Sequence, residues 1–501
     1  MVGCGDLGTD DNARPRYISP GGAHVIFSSN AHLEDGVGNE AAPKGTEAIY
    51  DRPVGSAAAR VISLKPDGSA FGAGQNATYL ATSEDTSSVV FKVGTTLYER
   101  RNNNMTLEVA SDATFAGIST DGDTVTYLKE GKIFSFDAAV QPPASTEVAE
   151  GTPVSVSPDG SHVFFWSKDV LTGGEENENE EAAQPGESNL YAWDSTVTRF
   201  VGVLDPLDFK GFSGVTTVSL GAWVEAVSES PESKRGASPT RSTADGTVFI
   251  FQSHSRLTSY DNTGPCGLKG ETSHCGEIYR YDPEAEAGER LSCISCDPSL
   301  AAPVGDASLQ DPRTDSPAHQ RSTLISNVSE DGSVVFFHSF DRLLPDDANR
   351  AQDVYEWRAA GSGEPECTRP GGCLALISSG QGEGDNYLFA MSANARDVFF
   401  WTEEQLVSRD VADSQSIYDA RVAGGVADPP SGEICHGDAC QGDGSAPPIL
   451  PSPTIDSGTG NGNVEKALKR PCAKGKRRVK GRCVKRHGKR NHRGRHGRAG
   501  Q

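Results

Sequence analysis

Four cysteines between positions 266 and 296, Cys266, Cys275, Cys293 and Cys296, form the densest group of reactive side chains in the chain. Four thiolates suit tetrahedral zinc. Two disulfides suit the same residues, either 266–275 with 293–296 or a cross-strand pairing. The spacing of "CISC" (293–296) is also that of redox motifs, but such thiols are activated at a helix N-terminus and this one ends a strand. The wider cysteine pattern favours disulfides. Of eleven cysteines, ten fall into close neighbours, 266/275, 293/296, 367/373, 435/440 and 472/483, in Gly/Pro-rich surroundings, with Cys4 left over. Small loops closed by disulfides imply an oxidising compartment. The segment "MVGCGDLGTDDNARPR" has no apolar core and so no export signal. The expected location is therefore extracellular or envelope-associated, with a start that lies downstream of the true one.

A second group could bind a hard cation. In "LLPDDANRAQDVYEW" (343–357), Asp346, Asp347, Asn349 and Asp353 place oxygen ligands at close spacing, as calcium demands. The loop lacks the turn glycine and terminal Glu of an EF-hand, and capping of turns before a strand is the plainer use of these residues. Calcium is the one cofactor the sequence suggests. Catalytic motifs are missing: there is no G-x-S-x-G, no H-E-x-x-H and no G-x-x-x-x-G-K-[ST]. His254 and His338 follow apolar strands and read as strand-end residues rather than ligands.

Charge divides the chain into two electrostatic objects. The formal net charge is −23, yet residues 464–501 carry 16 Lys and Arg against one acid, leaving 30 basic and 68 acidic residues in 1–463. So acidic a body repels phosphate and should not bind nucleic acid. The basic tail suits an anionic polymer, and Lys474, Lys476, Arg477, Arg478, Lys480 and Arg482 lie between Cys472 and Cys483 in a loop a disulfide could close. Residues 429–463 are Pro/Gly/Ser-rich and read as a linker. No apolar run reaches 18 residues, so no segment reads as a membrane-spanning helix.

The elements that position these groups come from a repeat. "YISPGGAHVIF" (17–27), "ATSEDTSSVVF" (81–91), "GISTDGDTVTY" (117–127), "VSVSPDGSHVFFW" (154–166), "RSTADGTVFIF" (241–251), "NVSEDGSVVFF" (327–337) and "AMSANARDVFFW" (390–401) share one grammar. Each sets a polar turn before a β-branched and aromatic strand, and Asp-Gly supplies the positive φ of a tight hairpin. An aliphatic–aromatic pair follows every copy: Ile49-Tyr50, Leu97-Tyr98, Ile133-Phe134, Leu190-Tyr191, Ile278-Tyr279, Val354-Tyr355 and Ile417-Tyr418. A further strand usually comes after it, as in "TLEVAS" (106–111) and "VTRFVGVL" (197–204), though none is clear in the last unit. Seven four-stranded antiparallel meanders bury both faces only by stacking radially, which predicts an all-β propeller of six to eight blades over 14–428, after an irregular stretch at 1–13.

The strand–turn–strand "SPDG-x-x-V-x-F" and the later "[IVL]-Y" resemble the TolB-like β-propeller repeat family over about residues 14–425. The resemblance implies a propeller fold and, more faintly, a place among cell-envelope proteins.

The units differ in one connection. From the last aromatic of strand b to that of strand c, Phe91→Tyr98 and Tyr127→Phe134 span seven positions, whereas Phe27→Tyr50, Phe165→Tyr191, Phe251→Tyr279, Phe337→Tyr355 and Phe400→Tyr418 span 18 to 28. Connections alternate ends in a meander, so five long loops must emerge on one face, where binding is usually built. These loops hold 22 acids against 7 bases, and "GGEENENEEAAQPGESN" (173–189) is polar enough for disorder. The sequence thus predicts an exported, non-enzymatic binding module for a protein or other ligand at the cell surface, with a tail for anionic polymer. The alternatives are a hydrolase or lyase working in the central channel and a structural envelope component.

Overall fold

The computed structural model describes residues 14–425, apart from 34, 36, 57, 178, 210–238, 244, 267–269, 287, 310–324, 364–365, 409, 412–413 and 423, together with 476–479 and 482–485. The chain divides into two compact units, Met1–Pro430 and Ser431–Gln501. Sheets make up the first, and no α-helix occurs among the described residues.

Seven antiparallel sheets follow one another as propeller blades with strands a to d in chain order. Blade 1 uses Arg14–Ile18, His24–Ser29, Ala48–Pro53 and Arg60–Val61. Blade 2 uses Ala77–Thr82, Ser88–Val93, Thr96–Arg101 and Met105–Ala110; blade 3 uses Thr114–Ile118, Thr124–Lys129, Lys132–Asp137 and Ala144–Glu150. Blade 4 uses Thr152–Val156, Val163–Ser167, Asn189–Trp193 and Thr198–Val203; blade 5 uses Thr240–Ser242, Phe249–Ser253, Glu277–Tyr281 and Leu291–Cys293. In blade 6, Val334–Ser339, Asp353–Arg358 and Cys373–Leu376 are strands b to d, and strand a shrinks to the Val328–Val335 bridge. Among the described residues blade 7 has three strands, a to c: Tyr387–Met391, Asp397–Thr402 and Ser416–Arg421.

The register explains the repeated aromatics. Phe27 pairs directly with Tyr50, Phe91 with Tyr98, Tyr127 with Phe134, Phe165 with Tyr191, Phe251 with Tyr279, Phe337 with Tyr355 and Phe400 with Tyr418. The rings of each pair lie 5.3 to 6.1 Å apart. Directly opposite aromatics are among the stronger cross-strand contacts. They also fix register, because a one-residue slip would turn every apolar side chain to the wrong face.

The a–b turns are built differently from the expected two-residue hairpin. In blade 4, the Ser157 hydroxyl donates to Asp159 (2.5 Å), Asp159 accepts from the Ser161 amide (2.9 Å), and Ser157 Oγ accepts from the His162 amide (2.9 Å). Ser83/Asp85, Ser119/Asp121, Thr243/Asp245, Ser329/Asp331 and Ser392/Asn394 repeat the donation. The Asp is thus an acceptor that braces the turn. Positive φ falls on the next residue instead: Thr86, Gly122, Gly160, Gly246, Gly332 and Ala395. Neighbouring turns interlock, Glu84 N–H donating to Thr120 C=O (2.9 Å) and Thr120 N–H to Pro158 C=O (2.5 Å).

Apolar clusters join consecutive blades from 1 to 7. Phe164 of blade 4 stacks on Phe249 of blade 5 at 4.0 Å, and Val163 and Phe165 pack in the cluster shared with blade 3. Among the described residues no such cluster joins blade 7 to blade 1. The face of blade 7 turned from blade 6 leaves Phe389 47% and Ile417 62% exposed. In the second unit, Lys476–Val479 pairs with Arg482–Lys485 as a short antiparallel hairpin.

Candidate functional site

The face to which the long b–c loops belong is the candidate site, and its framework starts at the strand ends. Two residues after each strand-b aromatic stands Ser29, Ser167, Ser253, Ser339 or Thr402. Each hydroxyl oxygen accepts the amide two residues on, at 2.9 to 3.2 Å. Six residues after the aromatic stands Leu33, Leu171, Leu257, Leu343 or Leu406. Its amide donates to the hydroxyl of the strand-c tyrosine in three loops, Leu33 to Tyr50 (3.2 Å), Leu171 to Tyr191 (3.2 Å) and Leu406 to Tyr418 (3.0 Å), and in the other two the Leu257 and Leu343 amides face the Tyr279 and Tyr355 hydroxyls and pull them down. Four of these hydroxyls donate back to the loop, Tyr191 to Asp169 C=O (2.7 Å), Tyr279 to Ser255 C=O (2.6 Å), and Tyr355 and Tyr418 to the carboxylates of Asp347 and Asp410. All five long loops therefore leave the scaffold through one locked turn. The signal is legible as F-x-[ST]-x-x-x-L in "FSSNAHL", "FWSKDVL", "FQSHSRL", "FHSFDRL" and "FWTEEQL", and sequence reasoning passed over it. Blade 3, with a tight hairpin and no loop to hold, has Phe134 in place of the tyrosine.

Beyond the lock, the described residues of the blade 4 loop are held by hydrogen bonds. The expected disorder of 173–189 is corrected by its asparagines. Asn177 Oδ1 accepts the Asn179 and Glu181 amides at 2.9 and 3.0 Å, and Asn189 Nδ2 donates to Ser167, Gln184 and Glu187 carbonyls. Ala183 is buried against blades 3 and 4.

Three blade junctions share a clasp. Asn76 and Asp385, just before a blade begins, and Asp306, on the connection from blade 5 to blade 6, accept the Glu47, Gln352 and Gly276 amides of the preceding blade at 2.7 to 2.9 Å. Between blades 5 and 6 the clasp is crowded with acids. Burial pushes Glu277 well above the usual carboxylate range, with Asp341, Asp306 and Asp297 adding to it. Burial likewise raises Asp306, and it lifts Asp341 to about 6 against the amides of Val304 and Gly305. His254 lies here, its Nδ1 2.8 Å from Asp208 and its Nε2 3.8 Å from Asp306. Burial pushes the imidazole down, but the Asp208 hydrogen bond and the surrounding carboxylates outweigh it and raise it. The Ser253 hydroxyl donates to Asp208 (2.5 Å) and not to His254, so the three do not form a nucleophile–base pair. His338 is buried as well, and its Nε2 accepts the Leu388 amide of blade 7 (2.8 Å). Both histidines hold the framework together.

The cysteines resolve as local disulfides, Cys266–Cys275 (1.97 Å), Cys293–Cys296 (1.87 Å) and Cys367–Cys373 (2.11 Å). Zinc on Cys266, Cys275, Cys293 and Cys296 is corrected by this pairing, since a disulfide sulfur is no thiolate; so is the cross-strand alternative. Of the calcium candidates, Asp347 and Asp353 are buried on the blade 6–7 junction, Asn349 is partly buried, and Asp346 is exposed. Cys4, Cys435, Cys440, Cys472, Lys474 and Lys480 lie outside the described residues. The backbone hairpin includes Lys476, Arg477, Arg478, Arg482 and Cys483.

No protein-family model and no curated protein sequence matches the chain. Solved structures similar in fold include dipeptidyl peptidase 4 of Porphyromonas gingivalis, at 12% identity and TM-score 0.41 over 77% of this chain and 48% of that one. The β-propeller domain of the Trilobed protease from Pyrococcus furiosus, with an open velcro topology, is similar at 10% identity and TM-score 0.32, over 78% of this chain and 91% of that one. A TolB-type protein of Agrobacterium tumefaciens is similar at 14% identity and TM-score 0.25, over 66% of this chain and 88% of that one. The chain thus spans about half the length of that dipeptidyl peptidase. Each is a distant likeness in fold.

Proposed function

We propose that the protein is a non-enzymatic binding module whose ligand, a protein or an envelope component, docks on the long-loop face. One observation carries this reading. Five loops of different content, spanning 18 to 28 positions between the flanking aromatics, are launched by one kind of Ser/Thr–Leu–Tyr lock, which is how a rigid frame presents variable contact surface. Two disulfides brace the blade 5 portion of that face and favour an oxidising location, extracellular or at the envelope. The basic tail would hold the module to an anionic polymer, by charge alone and so with strong salt dependence.

Cutting the blade 4 and blade 5 loops back to the two-residue Gly94-Thr95 connection of blade 2, with the lock tyrosines retained, tests the reading. The trimmed protein should stay folded and lose binding to fractionated envelope. Unchanged binding would sink the loop-face reading, and tail deletion with unchanged salt-dependent retention would sink the anchoring role.

A hydrolase or lyase is the second reading. The raised carboxylates Glu277, Asp306 and Asp341 beside His254 support it, because strongly perturbed acids in one place are a mark of catalytic sites. Turnover of any ester, peptide or glycoside that disappears in Asp341→Asn would favour it over the binding module. A structural envelope role, the third, would appear as stable co-purification with envelope proteins in place of a saturable ligand.

A further inference from the structure

The junction of blades 6 and 7 leaves buried oxygens with no donor. Asp353 Oδ1 accepts the Ser378 hydroxyl (2.5 Å) and the Asn386 amide (2.9 Å), while Asp353 Oδ2 is buried with no hydrogen-bond partner. Glu404 Oε2 accepts the Ser379 hydroxyl (2.5 Å), and Glu404 Oε1 is buried and unpartnered. Asp347 takes the Tyr355 hydroxyl on Oδ2 and leaves Oδ1 in the same state. The carbonyl oxygen of Asn386, a residue 1% exposed, is the fourth such atom.

Leaving one such acceptor buried costs about 1–3 kcal/mol, and a charged one more. Four at one junction call for a shared explanation. Burial raises Asp353, and the nearby charges of Asp347 and Glu404 raise it further. No ion pair to Lys or Arg reaches them among the described residues. The Asn349 side chain acts on Asp353 as a hydrogen-bond donor and lowers it, and the Asn349 backbone amide and the Arg342 charge lower Asp347. Each carboxylate therefore has one oxygen fixed by a hydroxyl or amide and the other left over. Outer-shell donors fix carboxylate metal ligands in this way.

We infer that Asp347, Asp353, Asn386 and Glu404 form a site for a hard divalent cation of the calcium class, lying between blades 6 and 7. The donor set is all oxygen, which suits calcium and excludes the softer metals that prefer nitrogen and sulfur. The three carboxylates do not all come within 4.8 Å of one another. A bound ion would draw them inward or complete its shell with water, as calcium sites commonly do. The ligands come from the b–c loop and strand c of blade 6, the residue just before the first strand of blade 7 and the b–c loop of blade 7, so the ion would staple the two blades together. The site does not depend on what the loop face binds.

The test uses the full chain with calcium alone as the probe. Thermal melts in excess chelator and across a calcium series should show Tm rising by on the order of 1–3 °C per tenfold calcium above the dissociation constant. Terbium should bind competitively with calcium, with emission sensitised by Tyr355 and Tyr387. Asp353→Asn and, as a second variant at a partly exposed position, Glu404→Gln should melt above the wild type in chelator and below it in calcium. That reversal separates an ion site from a carboxyl kept neutral by burial, for which both variants would melt at or above the wild type whatever the calcium. A wild-type melt indifferent to millimolar calcium, or a calcium response retained in Glu404→Gln, would overturn the assignment.

Discussion

Tyr191 does two things with one hydroxyl, accepting from Leu171 and donating to Asp169. Tyr191→Phe leaves both backbone groups short of a partner while the ring stays packed on Phe165. The expected loss is about 1–3 kcal/mol in urea unfolding, with faster exchange of the Leu171 amide. Tyr98→Phe, on a tight hairpin with no loop to lock, should change stability by less than about 0.5 kcal/mol. Asp341 gives the pH counterpart. Its carboxyl is raised from an ordinary 3.8 to about 6, so the folded state holds its proton more tightly than the unfolded chain does. Stability from this group is complete below pH 3.8 and is lost as pH rises through about 6, by up to about 3 kcal/mol. Denaturant midpoints of wild type and Asp341→Asn should therefore diverge between those pH values, the variant following the flatter line.

At the scale of single elements, the a–b turn carries the most exacting geometry. Gly246 combines φ +71° with a neighbour at 2.4 Å, Ser157 Cβ of the preceding turn, where a methyl group would stand. Gly246→Ala should cost about 2–4 kcal/mol, combining backbone strain with overpacking. Gly131→Ala on the blade 3 hairpin, φ +78° with nothing within 4 Å, should cost about 1 kcal/mol. Equal losses in the two melts would mean that interlocking of turns adds nothing. The turns also show where sequence logic needed amending. "SPDG" announces a turn correctly, but the Asp braces the backbone and the glycine supplies the open space, so the two residues are not interchangeable halves of a hairpin.

Across the propeller, stability is passed from blade to blade through apolar clusters, and the blades are not equally supported. Among the described residues, blade 7 shares one such cluster, with blade 6, has three strands, and leaves Phe389 and Ile417 exposed. Hydrogen exchange should therefore be fastest in Asp397–Thr402 and Ser416–Arg421 and slowest in the middle strands of blades 4 and 5, packed on both sides. Uniform protection across all seven blades would contradict this. Calcium, if it fills the blade 6–7 site, should slow exchange in blade 7 first.

The sequence by itself determined the seven units, the in-register aromatic pairs and the five long connections on one face. These depend on alternation and turn chemistry, which act between near neighbours. It also held the loop lock in five copies of F-x-[ST]-x-x-x-L, readable once the tyrosine is known to reach back to it. Tertiary structure decided what depends on distance between remote segments. It chose local disulfides over thiolate zinc, because Cys266 and Cys275 meet in one loop. It tied the described residues of the acidic loop to the blade, Asn177 Nδ2 donating to Val201 C=O (3.1 Å) and Asn189 Nδ2 to Ser167 C=O (3.2 Å). It also split the calcium candidates, keeping Asp347 and Asp353 inward, turning Asp346 to solvent, and adding Asn386 and Glu404 from the next blade. No spacing within one unit could have supplied those last two, because a junction between blades is made only when the units stack.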